Sequence, residues 1–468
     1  MSAILAALIL SQAAPDKPNV VLILADDLGV NDFGRKDHHT PNFDRWVQKC
    51  TRFSNAYSAC PVCSPTRAAL LTGKNPARLH LTTFLPGRAD AASQKLLHPK
   101  IRMELPLEEI TLAERLKEAG YATACIGKWH LGGAGFGPKS QGFDVVHAGN
   151  ASTNPNDDEG GKGEYDLTRK AEEFIAANRD RPFYLHLCHN NPHVKLRAKP
   201  ELIAKNKDAF NPTYAAMIET LDDSLGRILH KLDELNLTNR TIVAFTSDNG
   251  GLHVPEAGDD PPTHNTPYRA GKGFLYEGGI RVPLVVWHPN NANACQAVET
   301  PVISTDWTPT VMDWCGLSAV EGLDGVSFAP LLRGGTLKLR TFYWHFPHYT
   351  NQGSRPGGAL REGKWKLIEH YEDGRTELFD LDRDVSETND LSKSNPAVVD
   401  ELRGKLDAWR KAADVQFNTP NAKFDAELHR RLYADVDVST LKPMAKAAET
   451  GKPFLEWRRL MDGVVRGK

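Results

Sequence analysis

The segment ACPVCSPTRAALLTG, residues 59–73, sets Cys60 and Cys63 in a C-x-x-C arrangement, follows them with Pro65 and Arg67, and closes a short helix-like run with Gly73. Three chemistries use such a pattern: a dithiol redox pair, half of a zinc site, or one cysteine placed for other work. A zinc half-site needs a second ligand pair, and no second C-x-x-C follows; the other cysteines, Cys50, Cys125, Cys188, Cys295 and Cys315, are scattered. Ser64 can cap a helix, Pro65 suits its first position and Gly73 its end, so the pattern predicts Cys63 immediately before a short helix. Arg67 then lies near the positive helix end, where backbone N–H groups favour anions. Such a place suits a negatively charged reactant.

A second constellation offers only oxygen. Asp26 and Asp27 close one apolar run, and Asp248 and Asn249 close another. Oxygen donors of this kind favour a hard cation such as Ca²⁺, in preference to Mg²⁺, over zinc. A lone pair of aspartates at a strand end would more simply cap a turn; four donors from two strand ends are harder to explain that way.

Positioning these groups requires a frame. NVVLILADD (19–27) is unbroken and apolar, as expected of a strand buried on both faces. YATACIGKWH (121–130), FYLHLCHNNPH (183–193), TIVAFTSDNG (241–250) and VPLVVW (282–287) read the same way, with helical periodicity between them in LEEITLAERLKEAG, LTRKAEEFIAAN and PTYAAMIETLDDSLGRILHKLDEL. The pattern predicts an α/β fold: a large, mostly parallel sheet with helices on both faces. Four of the runs end in polar clusters: Asp26 and Asp27; Lys128 and His130; His189, Asn190 and His193; Asp248 and Asn249. Ligands bind beyond the carboxyl ends of such strands, so these clusters are expected at one rim. After about residue 335, GKWKLIEHYEDGRTELFDL reads as two strands turning at Asp373 and Gly374, and PAVVDELRGKLDAWRKAA as a helix. A smaller carboxy-terminal α+β subdomain with an antiparallel sheet, residues 335–468, is expected after a catalytic domain spanning 15–334.

With 468 residues, 57 basic and 59 acidic side chains and a net charge of −2, the chain carries no general signal for nucleic acid or an anionic membrane. The run MSAILAALILSQAA is too short to span a bilayer and ends in small residues, so residues 1–14 are expected to be a cleaved export signal, destined for a periplasmic, secreted or lysosome-like compartment. No other stretch resembles a membrane span.

CSPTRAALLTG resembles the C-x-P-x-R signature of type I sulfatases, members of the alkaline phosphatase superfamily. The resemblance continues through NVVLILADDLG, IGKWHLG, NPH, SDNGG, GKGFLYEGGIRVP and ELFDLDRDVSETNDL, in the family's order, and covers most of the chain. It departs at Thr66, where the family most often has serine. It implies that Cys63 is oxidised to formylglycine by a formylglycine-generating or anaerobic maturation enzyme, and that Asp26, Asp27, Asp248 and Asn249, with residue 63, hold Ca²⁺. It further implies that Arg67, Lys128 and Lys272 surround the sulfate, that His130 takes a proton from the formylglycine hydroxyl, and that His193 contacts sulfate near the leaving oxygen. Either His193 or Lys272 could protonate that oxygen. His189 is read as a structural histidine, and Glu277 and Arg281 as structural.

Loops 84–100, 253–269 and 344–358 are polar, rich in Pro and Gly, and carry His, Arg and aromatic side chains suited to a sugar. His345, His348 and Arg355 are the substrate-binding candidates there; Pro347 argues against a helical His345–His348 metal pair. The expected activity is exo-acting hydrolysis of a carbohydrate sulfate, with sulfated galactose or N-acetylgalactosamine implied by the resemblance. The alternatives are a phosphomonoesterase or phosphonate monoester hydrolase of the same superfamily, and an inactive secreted glycan-binding homologue.

Overall fold

The computed structural model describes residues 17–159, 161–291 and 295–466, so the expected export signal, residues 1–14, lies outside the described residues. An eight-stranded sheet is built from β1 (Asn19–Ala25), β2 (Thr51–Phe53), β3 (Ala122–Gly127), β4 (Val145–His147), β5 (Phe183–Cys188), β6 (Thr241–Ser247), β7 (Leu284–Trp287) and β8 (Ala297–Val298). Their order across the sheet is β8-β2-β7-β6-β1-β5-β3-β4. β6, β1, β5, β3 and β4 run parallel, in register from Val20 opposite both Tyr184 and Ile242.

The pleat of β1 explains its unbroken apolar sequence. Val20, Leu22 and Leu24 enter one core with Ala68, Leu70 and Leu71 of α1 (Cys63–Thr72) and with Leu112 and Leu116 of α2 (Leu112–Glu118). Val21, Ile23 and Ala25 enter the opposite core with Leu167 and Phe174 of α3 (Glu164–Ala177) and Ile218, Leu221 and Leu225 of α4 (Pro212–Glu234). A strand buried on both faces has no polar side to show in its sequence.

β7, the strand expected in the VPLVVW run, is antiparallel to β6 and to β2. Burial on both faces makes a run apolar whichever way it points, so direction is set by the connection. Ser64 is not the helix cap: Val62 holds that position with extended backbone, Cys63 is the first helical residue, and Ser64 Oγ accepts the Leu85 N–H at 3.1 Å. Gly73 closes α1 in the left-handed conformation, as expected.

A second sheet, β9 (Thr341–Phe346), β10 (Gly357–Glu362), β11 (Trp365–His370) and β12 (Thr376–Asp380), is an antiparallel meander, with α5 (Pro396–Ala412) packed on Leu360, Leu367 and Leu378. Its other face is tied by charge to the 277–281 segment that precedes β7. Lys366 on β11, 0% exposed, pairs with Glu277 at 2.9 Å and Glu387 at 2.7 Å, and Glu277 also accepts from Tyr57 Oη and pairs with Arg281.

Glycines let backbones approach where the sheet meets its loops. Gly127, at the end of β3, has φ 101, and a Cβ there would meet Cys188 O at 1.8 Å. The same carbonyl accepts the Lys128 N–H at 2.9 Å. Gly127→Ala should therefore lower stability by about 3 kcal/mol, combining left-handed strain with displacement of a sheet carbonyl. Gly133→Ala, whose added carbon meets open space, should stay within about 0.5 kcal/mol of the parent; urea denaturation midpoints check both.

Candidate active site

Four adjacent parallel strands, β6, β1, β5 and β3, deliver their following residues to one edge. β1 leads into Asp26 and Asp27, β3 into Lys128 and His130, β5 into the 189–193 turn, and β6 into Asp248 and Asn249. Asp27 (φ 66) and His130 (φ 59) take left-handed backbone, which non-glycine residues hold only where the surroundings enforce it. The Asp26 N–H donates to Asn191 O at 3.0 Å, locking the β1 turn to the β5 turn.

The acids and bases at this edge are matched. Lys128 Nζ donates to Asp26 Oδ2 at 2.6 Å, Lys272 Nζ to Asp27 Oδ2 at 2.7 Å, and Arg67 Nε to Asp248 Oδ2 at 2.9 Å. Against the desolvation that burial imposes, Lys128, His193 and Arg67 hold Asp26 well below the usual carboxylate range, and Lys272 and His193 lower Asp27. Burial, together with the Asp26 charge, pushes Asp248 up despite Arg67. Two carboxylates crowded in a dry site separate in this way, and a bound cation would relieve them.

Cys63 begins α1 beside these pairs. Its Sγ lies 3.3 Å from His130 Nδ1, while His130 Nε2 lies 2.7 Å from Leu85 O. A carbonyl can only accept, so Nε2 carries a proton, and Nδ1 is the ring nitrogen that faces position 63. Burial raises a thiol, but Lys128 and His130 outweigh it and bring Cys63 down to about 6. His193 shows the complementary arrangement: Nδ1 rests on Val194 O, and Nε2 accepts from Lys272 Nζ at 3.1 Å.

The oxygen donors fit a hard cation. Ligand atoms of Asp26, Asp248 and Cys63 lie within 4.8 Å of one another, as do those of Asp26, Asp27 and His193. Asp26 Oδ1 and Asn249 Oδ1 are buried without a hydrogen-bond donor, a costly state for polar oxygens. A cation held between them would satisfy both, and the acidic pair supplies the negative charge Ca²⁺ requires.

Asp26, Asp27, Cys63, Lys128, His130, His193, Asp248, Asn249 and Lys272 are thus brought together. Arg67 belongs to the cluster too. It is 1% exposed, and its Nε and Nη1 donate to Asp248 Oδ2 and Lys128 O at 2.9 Å each, so it braces that carboxylate, while Nη2, 2.7 Å from Asp248 Oδ2, makes no hydrogen bond. His345, His348 and Arg355 are not brought to the cluster. His345 is buried between Tyr371 Oη (2.7 Å) and Gln416 O (2.8 Å), His348 Nε2 pairs with Thr82 Oγ1 at 2.8 Å, and Arg355 pairs with Glu372 at 3.1 Å. Burial and their own protein partners make the two histidines structural groups. A cavity of about 530 Å³ opens beside the cluster, lined by Asp26, Lys128, His130 and His193 and, beyond them, by residues of segments 151–162 and 190–197. None of its lining comes from loops 84–100, 253–269 or 344–358.

One residue escaped the sequence reading. Glu164, the first residue of α3, is buried, and its Oε1 accepts the N–H groups of Asn190 and Asn191 at 2.9 Å each while Oε2 pairs with His189 Nδ1. His189 is therefore structural as expected, and the turn that carries His193 is held by a carboxylate from another element. An acid in a helix's first turn has a sufficient local explanation, so nothing in the sequence marked it.

Comparison with known proteins agrees with this geometry. Residues 18–317 match the family described as Sulfatase, and residues 270–412 match N-sulphoglucosamine sulphohydrolase, C-terminal. A sulfatase of Formosa agariphila is 30% identical, over 85% of this chain and 89% of its own. N-acetylgalactosamine-6-sulfatase of Homo sapiens is 32% identical, over 72% and 69% respectively. Among solved structures, Ps i-CgsB in complex with k-i-k-neocarrahexaose superposes with a TM-score of 0.73 at 30% identity, covering 84% of this chain and 93% of that one.

Removing the Glu164 carboxylate should loosen the 189–193 turn. In Glu164→Ala the amide protons of Asn190 and Asn191 are expected to exchange at least about tenfold faster, since a buried charge-assisted acceptor is worth roughly 1.5–3 kcal/mol. Hydrogen exchange read by mass spectrometry or NMR checks this, with β1 amides as the internal reference.

Proposed function

The chain belongs to the sulfatase family and is a sulfuric ester hydrolase, and from that premise we propose that it removes sulfate from a carbohydrate, using formylglycine made from Cys63 and a resident Ca²⁺. The observation that carries the reading is the convergence of Cys63, two fixed lysines, two oriented histidines and two donor-less carboxylate and amide oxygens at one edge. Asp26, Asp27, Asp248 and Asn249, with residue 63, would hold the cation; when bound it supplies Lewis-acid polarisation and charge neutralisation. Formylglycine, once hydrated, supplies two hydroxyls on one carbon, one to attack sulfur and one to lose its proton as sulfate is expelled.

The chain's own groups divide the remaining work. Lys128 and Lys272 present ammonium groups fixed by Asp26 and Asp27, preorganised donors for the sulfate oxygens. Arg67 keeps Asp248 and the Lys128 carbonyl in place. His130, with Nε2–H anchored on Leu85 O, offers Nδ1 to accept the hydroxyl proton at position 63. Because Lys272 donates to His193 Nε2, the proton for the leaving oxygen is proposed to come from Lys272, with His193 orienting it.

The likeness to N-acetylgalactosamine-6-sulfatase and to a structure solved with neocarrahexaose supports a carbohydrate sulfate as substrate; a galactose or N-acetylgalactosamine sulfate and the exo mode are part of the same proposal. Export through residues 1–14, a catalytic domain over 15–334, a subdomain over 335–468, and maturation by a formylglycine-generating or anaerobic enzyme belong to the same reading. No helix among the described residues is long and apolar enough to cross a membrane.

Protein coexpressed with a maturation enzyme should release sulfate from sulfated mono- and disaccharides, and Cys63→Ala should reduce release to background. Activity surviving in that variant would contradict the mechanism, and sugar binding without release by formylglycine-bearing protein would favour a glycan-binding role. Comparing 4-nitrophenyl sulfate with the phosphate separates the superfamily alternatives. Lys272→Ala should lower kcat/KM on a sugar sulfate about a hundredfold more than on 4-nitrophenyl sulfate, whose leaving group needs no proton; equal losses on both substrates would exclude Lys272 as the donor.

A further inference from the structure

Beyond the sulfate-binding groups, the cavity has a second basic wall that the chemistry above does not use. Lys162 lies on it, 5% exposed. Its ammonium makes no hydrogen bond or ion pair among the described residues; the residue's backbone carbonyl accepts from Asn190 Nδ2 at 3.1 Å. The nearest acids are already committed: Asp26 to Lys128, and Glu164 to His189 and two amides. Burial, with Lys128 and Arg197 nearby, lowers the Lys162 pKa even though Asp26 and Glu164 oppose it, as expected of an ammonium taken from water without a full partner.

Two more cations share this wall. Arg197 has a single long contact, Nη1 to Ser152 O at 3.4 Å, and Lys195 is exposed and makes no hydrogen bond or ion pair among the described residues. Asp259, whose Oδ2 accepts the Leu196 N–H at 2.9 Å, balances only part of this charge. A largely buried lysine whose ammonium has no partner, flanked by two underused cations, is unfavourable in the free protein and becomes favourable when an anion is supplied from outside.

We propose that this wall is a subsite for a second anionic substituent of the substrate, a sulfate ester or a carboxylate on the same ring or the next, held by Lys162 with Arg197 and Lys195. The inference rests on the sulfatase reading and narrows it: the preferred substrate is a polyanionic glycan, not a sugar with one sulfate. Lys128 and His193 line the same cavity, so one ligand can present the scissile sulfate to them and its second anion to Lys162.

The test reads binding by calorimetry to full-length Cys63→Ala protein, and is therefore independent of whether mature protein releases sulfate. One pair of probes is N-acetylgalactosamine 6-sulfate and its 4,6-disulfate. The other is an unsaturated uronyl disaccharide carrying the 6-sulfate and the same disaccharide with its carboxyl methyl-esterified. At least one dianionic member should bind about tenfold more tightly than its monoanionic partner; the first pair reports a sulfate and the second a carboxylate. Lys162→Met should bring that ratio near one, Lys162→Arg should preserve it, and Arg197→Gln, at a half-buried position, should reduce it. Ratios near one in both pairs, absence of binding by all four probes included, or a ratio unaltered by both Lys162→Met and Arg197→Gln, would overturn the proposal.

Discussion

Three buried carboxylates are held at the carboxyl edge of the sheet by three cations, Arg67 and Lys272 buried and Lys128 partly exposed, and the rest of the site depends on that balance. Asp26 with Lys128, Asp27 with Lys272 and Asp248 with Arg67 each join different strands or loops. A buried charge deprived of its partner is strongly destabilising, so each pair constrains the geometry of the other two. The balance is incomplete in one respect: Asp26 Oδ1 and Asn249 Oδ1 are left without donors. The place where the pairing runs out is the place where oxygen donors converge with position 63.

The groups that face position 63 are held by partners outside the site. His130 is turned by its left-handed backbone and by Leu85 O, and the 189–193 turn is gripped by Glu164 from α3. Donors fixed before substrate arrives need no reorganisation when charge develops, which is how a rigid α/β frame contributes to transition-state stabilisation. Glycines make the approach possible: at Gly250 an added Cβ would meet Gly278 O at 1.9 Å, so the strand end bearing Asn249 can lie directly against the 271–281 loop that carries Lys272.

The two walls of the cavity are drawn from different parts of the chain. The clustered acids and bases follow strand ends, whereas the outer wall comes from segments 151–162 and 190–197, between β4 and α3 and after β5. The carboxy-terminal sheet contributes stability instead, through Lys366 clasped between Glu277 and Glu387. His345 and His348, which as isolated residues look suited to a sugar, fill hydrogen-bonding roles inside that region.

What the amino-acid order determined alone is local in range. Largely apolar runs specify β1, β3, β5 and β6 because burial on both faces leaves few polar choices, and the residue that follows each run is fixed by covalent order. Asp26, Asp27, Lys128, His130, His193, Asp248 and Asn249 were therefore legible as one rim, and the C-x-P-x-R segment added Cys63. What only the tertiary structure decided is partnership. Arg67 pairs with Asp248, Ser64 serves the Leu85 amide and leaves the cap to Val62, β7 reverses direction, and Glu164 takes hold of a turn 26 residues away. Each outcome depends on which distant group arrives within hydrogen-bonding reach, and neither spacing nor residue type encodes that distance.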